Sequence, residues 1–167
     1  MKTDLKDPKK WIPKNVFEAY CGPNSEKLLS FYDKAVEKKN MNSMSLNWGA
    51  ILLLPAWLGY RKQWVTLLTL TVIFAILPFV EGIFQFTIPS AGFTGGLIVI
   101  GLMCNSILLA GAHKDFLKLK QSGMDEGQII NELKDKVSPS VPYAIISLIA
   151  YVAIIFSSVY IAISLYN

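Results

Sequence analysis

The chain has 167 residues, of which 53% are apolar, with a mean hydropathy of +0.42 and a formal net charge of +4. This composition excludes an assembly of several soluble domains and predicts one small membrane unit, whose helices bury their faces in lipid and against one another. The positive charge is explained by the positive-inside bias and by anionic lipid headgroups. Nucleic acid is not an expected partner, because no basic and aromatic recognition pattern of the usual kinds is present.

The N-terminal region, residues 1–45, is rich in lysine and contains one amphipathic helix. Apolar residues recur at three- and four-residue spacings between about residues 24 and 39, opposite a charged face that is normally solvated. Asn24 is predicted to cap the start of this helix. We expect a cytoplasmic region without an independent soluble domain.

Residues 46–62 form an apolar segment that is too short to be a full span. Leu46–Tyr60 measures about 22 Å as a helix and is interrupted by Pro55. If the segment crossed the membrane, Arg61 and Lys62 would lie on the side opposite the N-terminal lysines, against the positive-inside bias. We therefore predict a re-entrant or interfacial helix and refer to residues 46–62 as the signature segment.

Three later stretches are long and apolar enough to cross a hydrocarbon layer about 30 Å thick: residues 64–84, 92–112 and 143–166. Residues 113–142, between the second and the third, form a basic loop with a short amphipathic helix. In this topology all 16 Lys and Arg residues share the cytoplasmic side with the N-terminus, and the C-terminus lies outside. The expected fold class is an all-α integral membrane protein with three transmembrane helices, a short re-entrant or interfacial helix and cytoplasmic amphipathic helices.

The signature segment also holds the densest group of candidate interface residues. Trp and Tyr favour the membrane–water boundary, and Arg and Lys can reach lipid phosphates from there. Plain anchoring and a specific surface for a lipid headgroup or a protein partner both remain open. The residues are Asn47, which is also placed to cap the helix, Trp48, Trp57, Tyr60, Arg61 and Lys62.

The run N-W-G-A-I-L-L-L-P-A-W-L-G-Y-R-K resembles the signature of a group of small bacterial membrane proteins, domain of unknown function 2628. Members of that family show N-W-x-A, a few apolar residues and then G-P-x-W-x-x-Y-R-K. The Y-C-G-P-N of Tyr20–Asn24 is similar to the family's lead-in, whereas Leu54 stands where Gly usually precedes the proline. The resemblance covers about Phe17–Trp64. It implies a bacterial inner-membrane protein and brings no activity.

Two polar residues inside the apolar stretches are candidates for an intramembrane site. Glu81 lies near the end of its stretch, where interfacial solvation is the main expectation and a proton or cation site is the alternative. Asn105 lies deeper and is expected to bond across helices. Gly92, Gly96 and Gly101 are predicted to allow close helix packing, within one chain or between two copies.

These patterns predict a non-enzymatic scaffold or accessory subunit that docks a partner or the anionic lipid surface. An oligomeric transporter or channel subunit is the alternative, and a lipid-modifying enzyme is the second alternative. No catalytic residue, cofactor or metal site is predicted, since the chain has no G-x-S-x-G motif and no Cys/His metal-binding pattern. His113 is expected to be solvated or to cap a helix end. The expected partners are anionic phospholipids, with a protein partner or a second copy of the chain.

Overall fold

The computed structural model describes residues 7–23, 25–137 and 139–166, and over these ranges the regular structure is entirely helical. A short 3-10 helix at Pro8–Lys10 precedes eight α-helices in the described chain. They are α1 (Lys14–Cys21), α2 (Glu26–Glu37), α3 (Trp48–Leu52), α4 (Leu54–Tyr60), α5 (Trp64–Phe84), α6 (Ser90–Gln121), α7 (Glu126–Val137) and α8 (Val141–Tyr166).

Within the described residues, three helices are long and apolar enough to cross a membrane. They occupy Trp64–Phe84, Thr94–Gln121 and Val141–Tyr166. The predicted fold class, all-α with three helices of this length and composition, is therefore confirmed. Helix α6 has 32 residues, or about 48 Å at 1.5 Å per residue, so it is longer than a hydrocarbon layer of about 30 Å.

The chain divides into two compact units. The charged unit consists of Met1–Asn47 and Leu102–Pro139, and the apolar unit of Trp48–Gly101 and Ser140–Asn167. Helix α6 contributes to both. In sequence, every Lys and Arg except Arg61 and Lys62 falls in the charged unit, and so does every Asp and Glu except Glu81.

The charged unit has a hydrophobic core that the sequence analysis did not predict. Helix α1 packs against both α2 and α7. The ring of Phe17 on α1 stacks on that of Tyr32 on α2, with the centroids 5.4 Å apart, and the Tyr32 hydroxyl donates to the Ile12 carbonyl oxygen at 2.7 Å. The apolar faces of α2 and α7 are therefore buried in protein, for example at Leu28 and Leu133.

Helix α2 is slightly shorter than the predicted 24–39. Asn24, the predicted cap, lies outside the described residues. At the other end Lys39 adopts a left-handed conformation with φ 49°, and its N–H donates to Val36 O at 3.0 Å. Asn40 N–H reaches back to Ala35 O at 3.0 Å, so a Schellman motif ends the helix with lysine at the position usually occupied by glycine.

In the apolar unit, helices α5 and α8 pack side by side and run parallel. Trp64 meets Tyr143 edge-on with the ring centroids 5.4 Å apart, and ten residues further along α5 Phe74 meets Tyr151 at 6.4 Å. Edge-to-face pairs of this kind stabilise a helix contact by about 0.5–1.5 kcal/mol beyond the area they bury. The parallel direction is the one required of the first and third of three successive spans.

Candidate functional site

The signature segment forms two short helices that break at Leu53. This residue has φ −134° and ψ 49°, outside the helical region, and Pro55 follows in the first turn of α4, where proline costs no hydrogen bond. The Leu53 N–H donates to Gly49 O at 3.0 Å, and the Leu53 carbonyl accepts from Trp57 N–H at 2.8 Å. The break therefore leaves the backbone hydrogen-bonded on both sides.

A tight turn joins α4 to α5. Lys62 is left-handed with φ 51°, its N–H donates to Gly59 O at 3.0 Å, and Gln63 N–H donates to Leu58 O at 2.9 Å. This is a second Schellman motif with lysine in the left-handed position. It places Arg61 and Lys62 immediately before the first long apolar helix.

The signature segment packs along the first half of α5 and α8. Pro55 and Leu58 line a cavity of about 110 Å³ together with Phe74 and Tyr151. Each of these aromatic residues lies ten residues into its helix, about 15 Å from the start at 1.5 Å per residue. The segment thus extends roughly halfway along two helices of spanning length, and its assignment as re-entrant or interfacial stays a prediction.

Basic and aromatic side chains gather where α4 ends and where α5 and α8 begin. The Arg61 guanidinium lies 5.3 Å from the Tyr60 ring centroid, and Lys62 Nζ lies 5.6 Å from that of Tyr143. The backbone N–H of Ser140 donates to Tyr60 O at 3.0 Å and ties the start of α8 to this point. We call Tyr60, Arg61, Lys62, Trp64 and Tyr143 the anchor cluster.

The structure does not bring all the predicted interface residues together. Trp48 begins α3 and is 63% exposed, and Trp57 is half-buried on α4. Asn47 falls in the charged unit, and its side chain donates to Asn105 Oδ1. Sequence reasoning missed Tyr143. Its role depends on a contact with Lys62, a residue that lies far from it in the sequence.

Asn105 is the centre of a polar clamp between α6 and the chain that leads into α3. Its Oδ1 accepts from Asn47 Nδ2 at 2.8 Å, and its Nδ2 donates to Ser45 Oγ at 2.7 Å. The backbone N–H of Ser45 donates to Leu102 O at 3.0 Å, and Ser106 Oγ donates to the carbonyl oxygen of Ser43. Asn105 thus bonds to an irregular segment, where a helix partner had been expected.

Glu81 closes the turn between α5 and α6. Its Oε1 accepts the backbone N–H of Ile88 at 2.6 Å. The residue also lines a shallow cleft of about 310 Å³ between α5 and α8, beside Gly82 and Tyr166. The carboxylate therefore has a local structural partner in addition to access to the cleft.

The predicted packing glycines differ in their surroundings. A Cβ atom at Gly92 or Gly96 would meet none of the described residues within 4 Å, whereas one at Gly101 would lie 2.5 Å from Ile51 Cγ1. Gly59 on α4 is as tightly packed as Gly101, since its added Cβ would lie 2.7 Å from Tyr143 O and closer still to Ser147. Sequence spacing did not single out Gly59.

The charged unit contains a groove that sequence reasoning also missed. It has a volume of about 570 Å³ and lies between α2 and the irregular segment 43–46, with Asn105 at its base. Three lysines of α2, Lys27, Lys34 and Lys38, line it. We call this the basic groove. The signal in the sequence was the lysine spacing on one helix face, which is indistinguishable from that of a solvated surface.

One histidine and two cysteines are buried in the described part of the charged unit. His113 is only 3% exposed and lies inside α6, so the expectation of a solvated or helix-capping His113 is wrong. Its Nδ1 has no partner among the described residues. Cys21 and Cys104 are both buried thiols without a disulfide. Within residues 7–23, 25–137 and 139–166, no three His, Cys, Asp or Glu side chains are placed to hold a metal ion.

Comparison with known proteins gives a family and no function. The search of curated proteins and the search of solved structures returned no match. The family described as "Protein of unknown function (DUF2628)" matches residues 23–116, which include α2, the signature segment, α5 and most of α6. This match covers more than half of the chain and confirms the resemblance seen in the N-W-x-A and P-x-W-x-x-Y-R-K motifs. The chain therefore belongs to the DUF2628 family of proteins of unknown function.

Proposed function

We propose that this protein is a non-enzymatic scaffold or accessory subunit of a bacterial inner membrane, and that it holds its charged unit at the cytoplasmic surface against anionic lipid. The observation that carries the proposal is the separation of the chain into a charged unit with its own core and an apolar unit with two basic residues. A cytoplasmic position for both basic regions satisfies the positive-inside bias.

The anchor cluster supports this placement. Arg61 and Lys62 stand directly before α5, and each lies close to an aromatic ring. Tyr and Trp rings are favoured at headgroup depth, where a neighbouring cation can also contact lipid phosphate. The cluster therefore has the composition of an interfacial anchor.

The transport alternative receives less support from the polar residues. A transport path would be expected to present Glu81 and Asn105 toward a common polar route. Glu81 instead binds the backbone of Ile88 in the apolar unit, and Asn105 binds Ser45 and Asn47 in the charged unit. These local bonds favour structural roles for both side chains.

Lipid retention by the purified full chain tests the proposal. Native mass spectrometry in mild detergent should show that phosphatidylglycerol and cardiolipin are retained in preference to phosphatidylcholine. Because each basic residue near an anionic surface contributes on the order of 1 kcal/mol, the Arg61→Gln/Lys62→Gln variant should bind the anionic lipids about 10- to 30-fold more weakly.

The charge-matched control is Lys114→Gln/Lys118→Gln, two exposed residues of α6. This variant should lose less than about threefold, since neither lysine belongs to the anchor cluster. The lipid-surface role would be wrong if the unmodified chain retained phosphatidylcholine as well as it retained the anionic lipids.

A further inference from the structure

We infer that the basic groove is a binding site for the phosphate headgroup of one anionic phospholipid molecule. This inference rests on the proposed function, because it assumes that the charged unit lies at a lipid surface. It adds a defined site on α2 and residues 43–46, distinct from the anchor cluster of the apolar unit.

The lysines of the groove are available for an anion. Lys27, Lys34 and Lys38 are exposed on one side of α2, and none forms an ion pair with a carboxylate among the described residues. The neighbouring acid Asp33 is instead paired with Lys14 of α1, with Nζ and Oδ2 2.7 Å apart. Glu26 also lines the groove and offsets one of the three positive charges. The groove keeps an excess of cationic donors, which suits a phosphodiester.

The opposite wall of the groove is held in place by hydrogen bonds. Asn105 binds Ser45 Oγ at 2.7 Å, Ser45 N–H binds Leu102 O at 3.0 Å, and Ser106 binds the carbonyl of Ser43. Because this wall is fixed to α6, an anion entering the groove need order only the lysine side chains. A cavity of about 570 Å³ is also within the usual range of about 300–1,000 Å³ for small-molecule sites.

The edge of the groove favours a lipid over a free phosphate compound. Met44 and Leu46 line it and are 63% and 61% exposed, so two large apolar side chains stand beside the cationic donors. Asn105 lies fifteen residues into α6, about 22 Å from the start of the helix. In a hydrocarbon layer about 30 Å thick that α6 enters at its first residue, Asn105 therefore lies near the far headgroup region. A phospholipid can place its phosphate headgroup on the lysines and its acyl chains against Met44 and Leu46, so it matches both the cationic and the apolar part of the groove.

The test is a titration of the detergent-purified full chain with soluble dioctanoyl phosphatidylglycerol, followed by native mass spectrometry. In low salt, Lys34→Gln/Lys38→Gln should weaken binding about 10- to 30-fold, and Lys114→Gln/Lys118→Gln should change it less than about threefold. Glycerol phosphate, a phosphomonoester without acyl chains, should bind at least tenfold more weakly than the lipid. Leu46→Asn should weaken binding of the lipid and leave that of glycerol phosphate unchanged.

The groove and the proposed function fail in different ways. If Lys34→Gln/Lys38→Gln binds the lipid as well as the unmodified chain, or no more weakly than the control variant does, the groove is a solvated surface and the inference is overturned. The anchor cluster could then still bind anionic lipid, as the proposed function requires. Equal affinity for glycerol phosphate and the lipid contradicts the lipid assignment. Absence of any preference for anionic over zwitterionic lipid in the unmodified chain contradicts the proposed function itself.

Discussion

The side-chain amide of Asn47 donates to Asn105 Oδ1 at 2.8 Å, across 58 residues of sequence. This bond joins the first motif residue of the signature segment to the middle of α6. Asn105 is only 6% exposed and also donates to Ser45, so its amide satisfies polar groups from an irregular stretch of chain. The relationship explains why an asparagine lies in a largely apolar part of α6.

Replacement of Asn105 should therefore destabilise the protein. Asn105→Ala removes both hydrogen bonds and leaves the half-buried Asn47 and Ser45 side chains without them, a loss of about 1–3 kcal/mol. For a chain of this size we expect the apparent Tm in detergent to fall by roughly 3–10 °C. The exposed Asn42→Ala is the control and should change Tm by less than about 1 °C. An unchanged Tm for Asn105→Ala would mean that the clamp is not formed.

A methyl group at Gly59 should also destabilise the chain, because the added Cβ would lie 2.7 Å from Tyr143 O, a backbone atom that cannot easily move. We expect Gly59→Ala to lower the apparent Tm by several degrees. Gly96→Ala is a matched control on α6 that meets nothing within 4 Å and should be neutral or stabilising by up to about 1 kcal/mol, since alanine favours helix. If Gly96→Ala were the more damaging variant, Gly96 would instead be packing against a second copy.

The protein should tolerate loss of the negative charge of Glu81, but not loss of its side-chain oxygen as a hydrogen-bond acceptor. Glu81→Gln keeps an oxygen that can accept the Ile88 N–H now bonded at 2.6 Å, so its Tm should remain within about 1 °C. Glu81→Ala leaves that N–H without the bond and should lose about 1 kcal/mol. Thermal unfolding in detergent distinguishes the two variants. An equally large loss in both would assign a role to the negative charge and favour an intramembrane ion site.

Tyr32 should make the charged unit sensitive to alkaline pH. Burial raises the pKa of its phenol above the usual 10.0, and the adjacent Asp33 carboxylate raises it further. The stabilisation from the neutral, hydrogen-bonded phenol is present below pH 10 and is lost as the pH rises through the elevated folded-state pKa. At pH 8, Tyr32→Phe should melt lower than the unmodified chain, because it lacks the bond to Ile12 O, which contributes about 1 kcal/mol.

The difference in Tm between Tyr32→Phe and the unmodified chain should close as the pH is raised above 10. The comparison removes the contribution of the other tyrosines, which titrate in both proteins. Circular dichroism melts at successive pH values provide the measurement. If the Tm difference stayed constant up to pH 11, the prediction that ionisation of the buried Tyr32 hydroxyl breaks its hydrogen bond to Ile12 O would be wrong.

The sequence predicted those features that depend on local patterns. Run length and the positions of Arg61 and Lys62 were sufficient to assign three long apolar helices, and spacing identified the apolar face that includes Leu28 on α2. The motif residues around Trp57 were sufficient to identify the family. Each of these signals comes from residues that lie close together in the sequence, within about the length of one helix.

The features that depend on distant contacts could not be predicted. Helix α1 was not expected, because Lys14–Cys21 is short and its apolar residues are buried only when α2 and α7 pack against it. The sequence predicted an interruption at Pro55, but the break lies two residues earlier, at Leu53, because proline is accommodated in the first turn of α4. The tight packing of Gly59 depends on Tyr143, which lies far along the chain.

We propose that Asn42, Ser122 and the basic pair before α5 lie on the cytoplasmic side of the membrane. Single cysteines at the exposed positions Asn42, Thr87 and Ser122 test it with a membrane-impermeant thiol reagent, and the unmodified chain, whose Cys21 and Cys104 are buried, is the control. We expect intact bacterial cells to label only Thr87→Cys, in the turn between α5 and α6, and permeabilised cells to label all three. Labelling of Asn42→Cys or Ser122→Cys in intact cells would contradict the account.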